Sequence, residues 1–462
     1  LCLSLAGCSG ATFPPYSADI QYRPRTDPVF APGKVPPNEN VPTIDRVGVL
    51  PVAQVKDFDD PGSPYLGSEE QKFLKENLGT NIKDPTRMDS ATRVALDKAL
   101  KAWFGTPAKP KVDYRGLDVD AAKADGLELR ETDLAKGSAL YRVHCLHCHG
   151  VAGDGRGTTA KWVNPHPRDY RQMLFKFTSV KQPAGVASRK DLYRVVEQGL
   201  DGTSMPAFVL LRPEEINLMV SYVMHLTLRG YVEYKAINQM AMEGGKLVVP
   251  QDLLEDGANA EERLINTWKV HFAGGLNQMI EANEPERETK PVPYTLKFFP
   301  QSGELHDYLT LLAKKERTAD EQAKLKEGEK DFEEFKSSVQ KGYVHFMEKD
   351  RGNCRNCHIN FGRDSKYRFD LWGTLVRPRD LTLGQYRGGR RAHDLYYRVA
   401  LGITPSGMPA AEYFEKNPAA IWDTLNFVQL LPLLVKPEMQ QLYGVNLQEY
   451  KELKQEEKKA AE

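Results

Sequence analysis

The residues best equipped for chemistry in this chain of 462 residues are its cysteines. Four of the six stand in two Cys-x-x-Cys-His runs, Cys145-Leu-His-Cys148-His149 and Cys354-Arg-Asn-Cys357-His358. Two thiols three positions apart lie on one helical turn and can add to the two vinyl groups of a haem. The histidine that follows then presents its imidazole to the iron from the same face. Cysteine and histidine also ligate zinc, but zinc pairs recur inside one small module, and these pairs are 209 positions apart. A thioredoxin-like redox pair would want a βαβ context, which the surrounding sequence lacks. The spacing therefore predicts two covalently bound haem c groups, one on Cys145 and Cys148 with His149 as proximal ligand, the other on Cys354 and Cys357 with His358.

Composition removes other classes. Lys and Arg number 63, as do Asp and Glu, which excludes a strongly basic nucleic-acid binder. Apolar residues make up 40%, enough for cores. No apolar run approaches the 18 or more residues of a membrane span; the stretch 427–435 is short and is broken by Pro432. Six cysteines are too few for a disulfide scaffold of this length, and the length itself suggests about three domain-sized units.

Aligning the two haem motifs exposes an internal duplication. Pro167-Arg168-Asp169 answers Pro378-Arg379-Asp380, Asp191-Leu192-Tyr193 answers Asp394-Leu395-Tyr396, and Met205-Pro206 answers Met408-Pro409. Upstream, Gly137 with Tyr141 matches Gly342 with Phe346; downstream, helices are expected from Pro213 and from Asn417-Pro418, with Asn417 as N-cap. Each unit thus reads as a helix leading into the cysteines, a long loop across the haem, a methionine, and a final helix packing back on the first. Ile216, Met219, Tyr222 and Val223 give that last helix of the first unit an apolar stripe.

With these motifs each unit resembles a class I cytochrome c domain, and the pair resembles the diheme c-type cytochromes of bacterial respiratory chains, over about residues 130–232 and 335–436. The resemblance implies a mainly α fold of two tandem cytochrome c-like haem domains. It also implies methionine as distal ligand, pairing His149 with Met205 and His358 with Met408. Both methionines precede proline in Gly/Ser/Thr-containing loops at equivalent places in the repeat. The Gly/aromatic pair of the first helix would pack on an aromatic of the last, Tyr222 in one unit and Trp422 or Phe427 in the other. The second unit departs by four extra residues before its cysteines. Six-coordinate irons of this kind carry single electrons and leave no position for a substrate, and a thioether opposite imidazole raises the potential.

Arg168 and Arg379 have the fork-shaped donors that suit haem propionates, with an ion pair to the adjoining Asp169 or Asp380 as the alternative. Residues 377–398 carry six arginines against two aspartates, a patch that would steer an acidic redox partner or serve as a solvated face. His166, His225, His271 and His393 read as structural, with His166 as an alternative ligand.

The opening residues Leu5-Ala6-Gly7-Cys8 resemble the lipobox of bacterial lipoproteins, in which the cysteine is lipidated after export; a plain secretory signal is the alternative. The domain plan expected is a signal remnant over 1–8, an extended tether with N-terminal helices over 9–130, and the first haem domain over 131–232. A helical insert over 233–334, the second haem domain over 335–440 and a charged tail over 441–462 follow. The proline-rich start of the tether should have little core of its own. Asp89 and Ser90 cap a helix to Phe104, and Thr318-Ala-Asp-Glu321 is a capping box.

The expected role is an exported, lipid-anchored diheme cytochrome c passing electrons between a quinol-oxidising or terminal-oxidase membrane complex and another redox protein. No nucleic acid or small-molecule substrate is expected. A diheme peroxidase or haem-dependent dehydrogenase is the enzymatic alternative and needs a displaceable distal ligand on one haem. A gas-sensing haem lipoprotein is a third reading.

Overall fold

The computed structural model describes residues 14–31, 76–77, 81–163, 165–366, 368–372 and 375–447. Cys2, Cys8 and the tail from residue 448 lie outside them, and with them the expected lipidation site. The chain divides into a first unit, reaching Glu288 and including Phe369–Leu375, and a second unit of Thr289–Arg368 and Val376 onward. Both are mainly α-helical; strands among the described residues form only two-stranded ladders two or three residues long. No helix among these residues is long and apolar enough to cross a membrane.

The first unit contains α1 (Ser90–Phe104), α2 (Ala121–Asp125), α3 (Glu131–His144), α4 (Leu146–His149), α5 (Arg189–Gln198), α6 (Pro213–Asn238) and α7 (Ala260–Ala282). Asp89 caps α1 by accepting from the amides of Ala91 and Thr92, as its sequence predicts, and Pro213 opens α6 where its missing N–H costs nothing. The centre of the unit is the crossing of α3 over α6. Gly137 makes it: a methyl there would stand 2.1 Å from the Leu218 carbonyl oxygen, so only glycine allows the approach. One turn on, Tyr141 packs edge-on against Tyr222 at 5.2 Å. Residue 232, the expected end of this domain, is interior to α6. Helix α7 then returns onto α6 and α1, with Phe272 between Trp103 and Phe104.

The second unit contains α8 (Gly303–Ala313), α9 (Ala319–Met347), α10 (Ala392–Leu401), α11 (Glu412–Lys416), α12 (Ala419–Leu434) and α13 (Pro437–Tyr443). The Thr318/Glu321 capping box is formed at the start of α9. Helix α9 crosses α12 as α3 crosses α6: a methyl on Gly342 would lie 2.0 Å from the Asp423 carbonyl oxygen, and Phe346 packs on Phe427 at 5.6 Å. Phe427 is therefore the counterpart of Tyr222, while Trp422 packs on Tyr396. Asn417 does not cap α12 as expected; its side-chain amide donates to the Tyr413 carbonyl and closes α11 instead. The stretch 233–334 is shared between the units, α7 in the first and α8 with the start of α9 in the second.

Residues 14–31 differ from the expectation of a segment with little core. Tyr16, Arg25, Asp27, Val29 and Phe30 are buried. The Arg25 amide donates to Glu233, Tyr22 Oη lies 2.9 Å from Tyr222 Oη, and Arg171 makes a bidentate pair with Asp27 at 2.9 and 3.0 Å. The segment is extended because of its prolines, but it is held by charged side chains that each find a buried partner. Hydrophobic periodicity does not register that kind of attachment.

Candidate functional site

Helix α3 delivers Cys145 and then the single turn of α4. The amides of Cys148 and His149 bond the Cys145 carbonyl, which sets the two cysteines and the histidine on successive corners of one turn. Gly150 ends it with φ 74°, and its carbonyl accepts from Tyr141 Oη, tying the turn to the α3–α6 crossing. His149 Nδ1 donates to the Arg168 carbonyl at 3.1 Å, and the ring stacks on Tyr170 at 4.9 Å. A carbonyl can only accept, so the proton sits on Nδ1 and Nε2 keeps its lone pair. Burial pushes the imidazole down to about 4, against the opposing effect of that hydrogen bond, so it is neutral at pH 7.

The second site is built alike without the helical turn. Cys354–Asn356 is a 3-10 turn, with the His358 amide on the Cys354 carbonyl. His358 Nδ1 donates to the Arg379 carbonyl at 3.0 Å, and burial lowers its pKa as well. Sequence reading singled out both arginines for their side chains; it is their carbonyls that orient the imidazoles. Neither guanidinium pairs with the adjoining aspartate. Asp169 binds Arg171 at 2.7 Å, and Asp380 caps a turn through the Thr382 amide, while Arg379 reaches Gln385. Arg168 lies over the ring of Trp372, 3.7 Å from its centroid.

All four cysteines of the two runs are free thiols. Burial pushes the Cys145 and Cys354 thiols up to about 12, so both are neutral. Among the described residues no cluster of three or more His, Cys, Asp or Glu side chains forms a separate metal centre.

The two methionine loops are superposable in their bonding. Helix α5 ends at Gly199 with φ 68° and α10 at Gly402 with φ 70°, and each is followed six residues later by Met205 or Met408. The Leu200 amide bonds the Met205 carbonyl, and the Ile403 amide bonds the Met408 carbonyl. A side chain on either glycine would strike its methionine carbonyl, so the loop doubles back tightly. Both methionines are half-buried. Of the remaining histidines, His225 is buried against Tyr22 and Tyr222, His271 bonds Gln239, His393 packs on Trp422 and His166 bonds the Pro167 carbonyl.

In the basic stretch 377–398, Arg391 is committed to Asp394 through two bonds, Arg377 bonds loop carbonyls, and Arg398 is buried. Burial of Arg398 removes one of the six arginines from that surface, while Arg377, Arg390 and Arg391 stay exposed. Sequence reading missed Tyr170, although it directly follows the Pro-Arg-Asp motif. It also missed Trp372, for which no pattern exists.

Residues 134–227 match the cytochrome c family. A domain of that family carries covalently bound haem c and serves haem-based electron transfer. No curated protein matches the chain. A chain of the reducing HAO-like protein complex of Kuenenia stuttgartiensis is similar at 17% identity and a TM-score of 0.36, over 64% of this chain and 94% of that one.

Proposed function

We propose that the chain is a diheme cytochrome c, exported and lipid-anchored through Cys8, that passes single electrons between a respiratory membrane complex and another redox protein. The observation that carries the reading is the repeated presentation of the imidazole. His149 and His358 each donate Nδ1 to the carbonyl of the arginine in a Pro-Arg-Asp loop, at 3.1 and 3.0 Å. Each therefore offers a neutral Nε2 as ligand, beside two free cysteines. On this reading Cys145 and Cys148 hold one haem and Cys354 and Cys357 the other, with Met205 and Met408 as distal ligands. Haem iron between imidazole and thioether supplies one-electron chemistry at a raised potential. The chain's own contribution is to fix the imidazoles by a backbone hydrogen bond and the methionine loops by a tight glycine turn.

The test is the haem content and ligation of the purified full chain. Two haems per chain by pyridine haemochrome, with a methionine-to-iron band from both in magnetic circular dichroism, support the reading. One haem per chain overturns the diheme assignment. A high-spin signal from one haem favours the peroxidase or dehydrogenase alternative. For the anchor, loss of palmitate label in Cys8→Ser is expected, and retained label overturns it. Co-purification from native membranes identifies the partner complex.

A further inference from the structure

Trp372 stands 223 positions beyond His149, yet Phe369–Leu375 belongs to the first unit. Its indole is buried, and Nε1, a donor only, has no hydrogen-bond partner among the described residues. A buried donor left unmade is costly, so such a position points to an acceptor. Two cations lie on the same ring, the Arg168 guanidinium at 3.7 Å and the Lys176 ammonium at 5.5 Å from its centroid. Only Lys176 has a carboxylate, Asp370 at 3.2 Å; Arg168 forms no ion pair among the described residues. The cluster thus offers a guanidinium with no ion pair among the described residues, a planar fork suited to a carboxylate, and an N–H with no partner among them. Its location is fixed by Arg168 itself, whose carbonyl holds His149.

From this arrangement we infer that Trp372 Nε1 and the Arg168 guanidinium bind a propionate of the haem carried by Cys145 and Cys148, so that a segment lying between the second cysteine pair and Met408 completes the first haem site. The inference rests on the haem assigned to that site above. It makes the first haem's environment depend on residues that the repeat would allot to the second.

The experiment uses the full chain with Trp372→Phe, which keeps a ring for the two cations and removes only the donor. Peptide mass spectrometry first establishes whether haem is attached at Cys145 and Cys148. Its absence in the wild type overturns the haem reading itself. With haem attached, resonance Raman spectra should show a propionate bending band of one haem shifted in Trp372→Phe. The other haem's band and the methionine-to-iron band should stay unchanged. Superimposable propionate bands in variant and wild type overturn the inference while leaving the haem reading intact. Should Trp372→Phe fail to fold by circular dichroism, Arg168→Gln with Trp372 present carries the same expectation and the same overturning result.

Discussion

At the scale of single residues, His149 and His358 are oriented by main-chain carbonyls and the loops of Met205 and Met408 by glycine turns in the backbone, so on the proposed function their side chains are the sensitive points. If the chain carries the two haems proposed above, Met205→Ala and Met408→Ala should each leave both covalently attached and turn one of them into a form that binds carbon monoxide on reduction. Carbon monoxide difference spectra check this, and unchanged spectra in either variant would mean another residue holds that distal side. His225 is a different kind of residue, a buried imidazole whose pKa burial pushes down to about 3. Its folded pKa lies below the unfolded value near 6.5. The unfolded chain therefore binds the proton first, and stability present above pH 6.5 is lost as pH falls toward 3. The slope approaches about 1.4 kcal/mol per pH unit from this one group. Urea denaturation at pH 7 and pH 5 should show that difference in the wild type and a smaller one in His225→Gln.

At the scale of elements, the two helix crossings decide where everything else lies. Gly137 and Gly342 let α3 approach α6 and α9 approach α12 to backbone contact, and the rings one turn on lock the register. Gly137→Ala and Gly342→Ala should each destabilise their unit by about 1–3 kcal/mol, since a methyl has nowhere to go. Gly274 in α7 is the control. A methyl there meets nothing within 4 Å, so Gly274→Ala should stabilise by about 0.5–1 kcal/mol through helix propensity alone. Chemical denaturation of the three variants checks the ordering. The crossings were legible in the sequence, because a glycine followed four residues later by an aromatic recurs before both cysteine pairs. The choice between Trp422 and Phe427 was not, because both are apolar residues of one helix and only packing separates them.

At the scale of the whole chain, buried charge joins segments that periodicity leaves unconnected. Asp27 lies between Arg25 and Arg171, and these guanidinium groups hold its carboxyl well below the usual carboxylate range in spite of burial. Its contribution is full above the unfolded pKa near 3.9 and is lost progressively as pH falls from there toward the depressed folded value. The attachment of residues 14–31 should therefore be insensitive to pH between 4 and 7. Asp27→Asn leaves Arg171 and Arg25 buried with one carboxylate fewer, and should cost about 3–5 kcal/mol. Limited proteolysis should then cut within 14–31, where the wild type resists.

The sequence alone determined the two Cys-x-x-Cys-His runs, the paired methionine turns, the glycine crossings and the mainly α class. The runs, the methionine turns and the crossing glycines are each a short pattern of residue type and spacing that recurs in both halves of the chain. The tertiary structure decided that Arg168 and Arg379 act on the histidines through their carbonyls. It also decided that residues 14–31 belong to a core and that Trp372 stands with the first site. These are meetings between positions far apart in the chain, held by hydrogen bonds and buried charge, and neither leaves a period in the order of the residues.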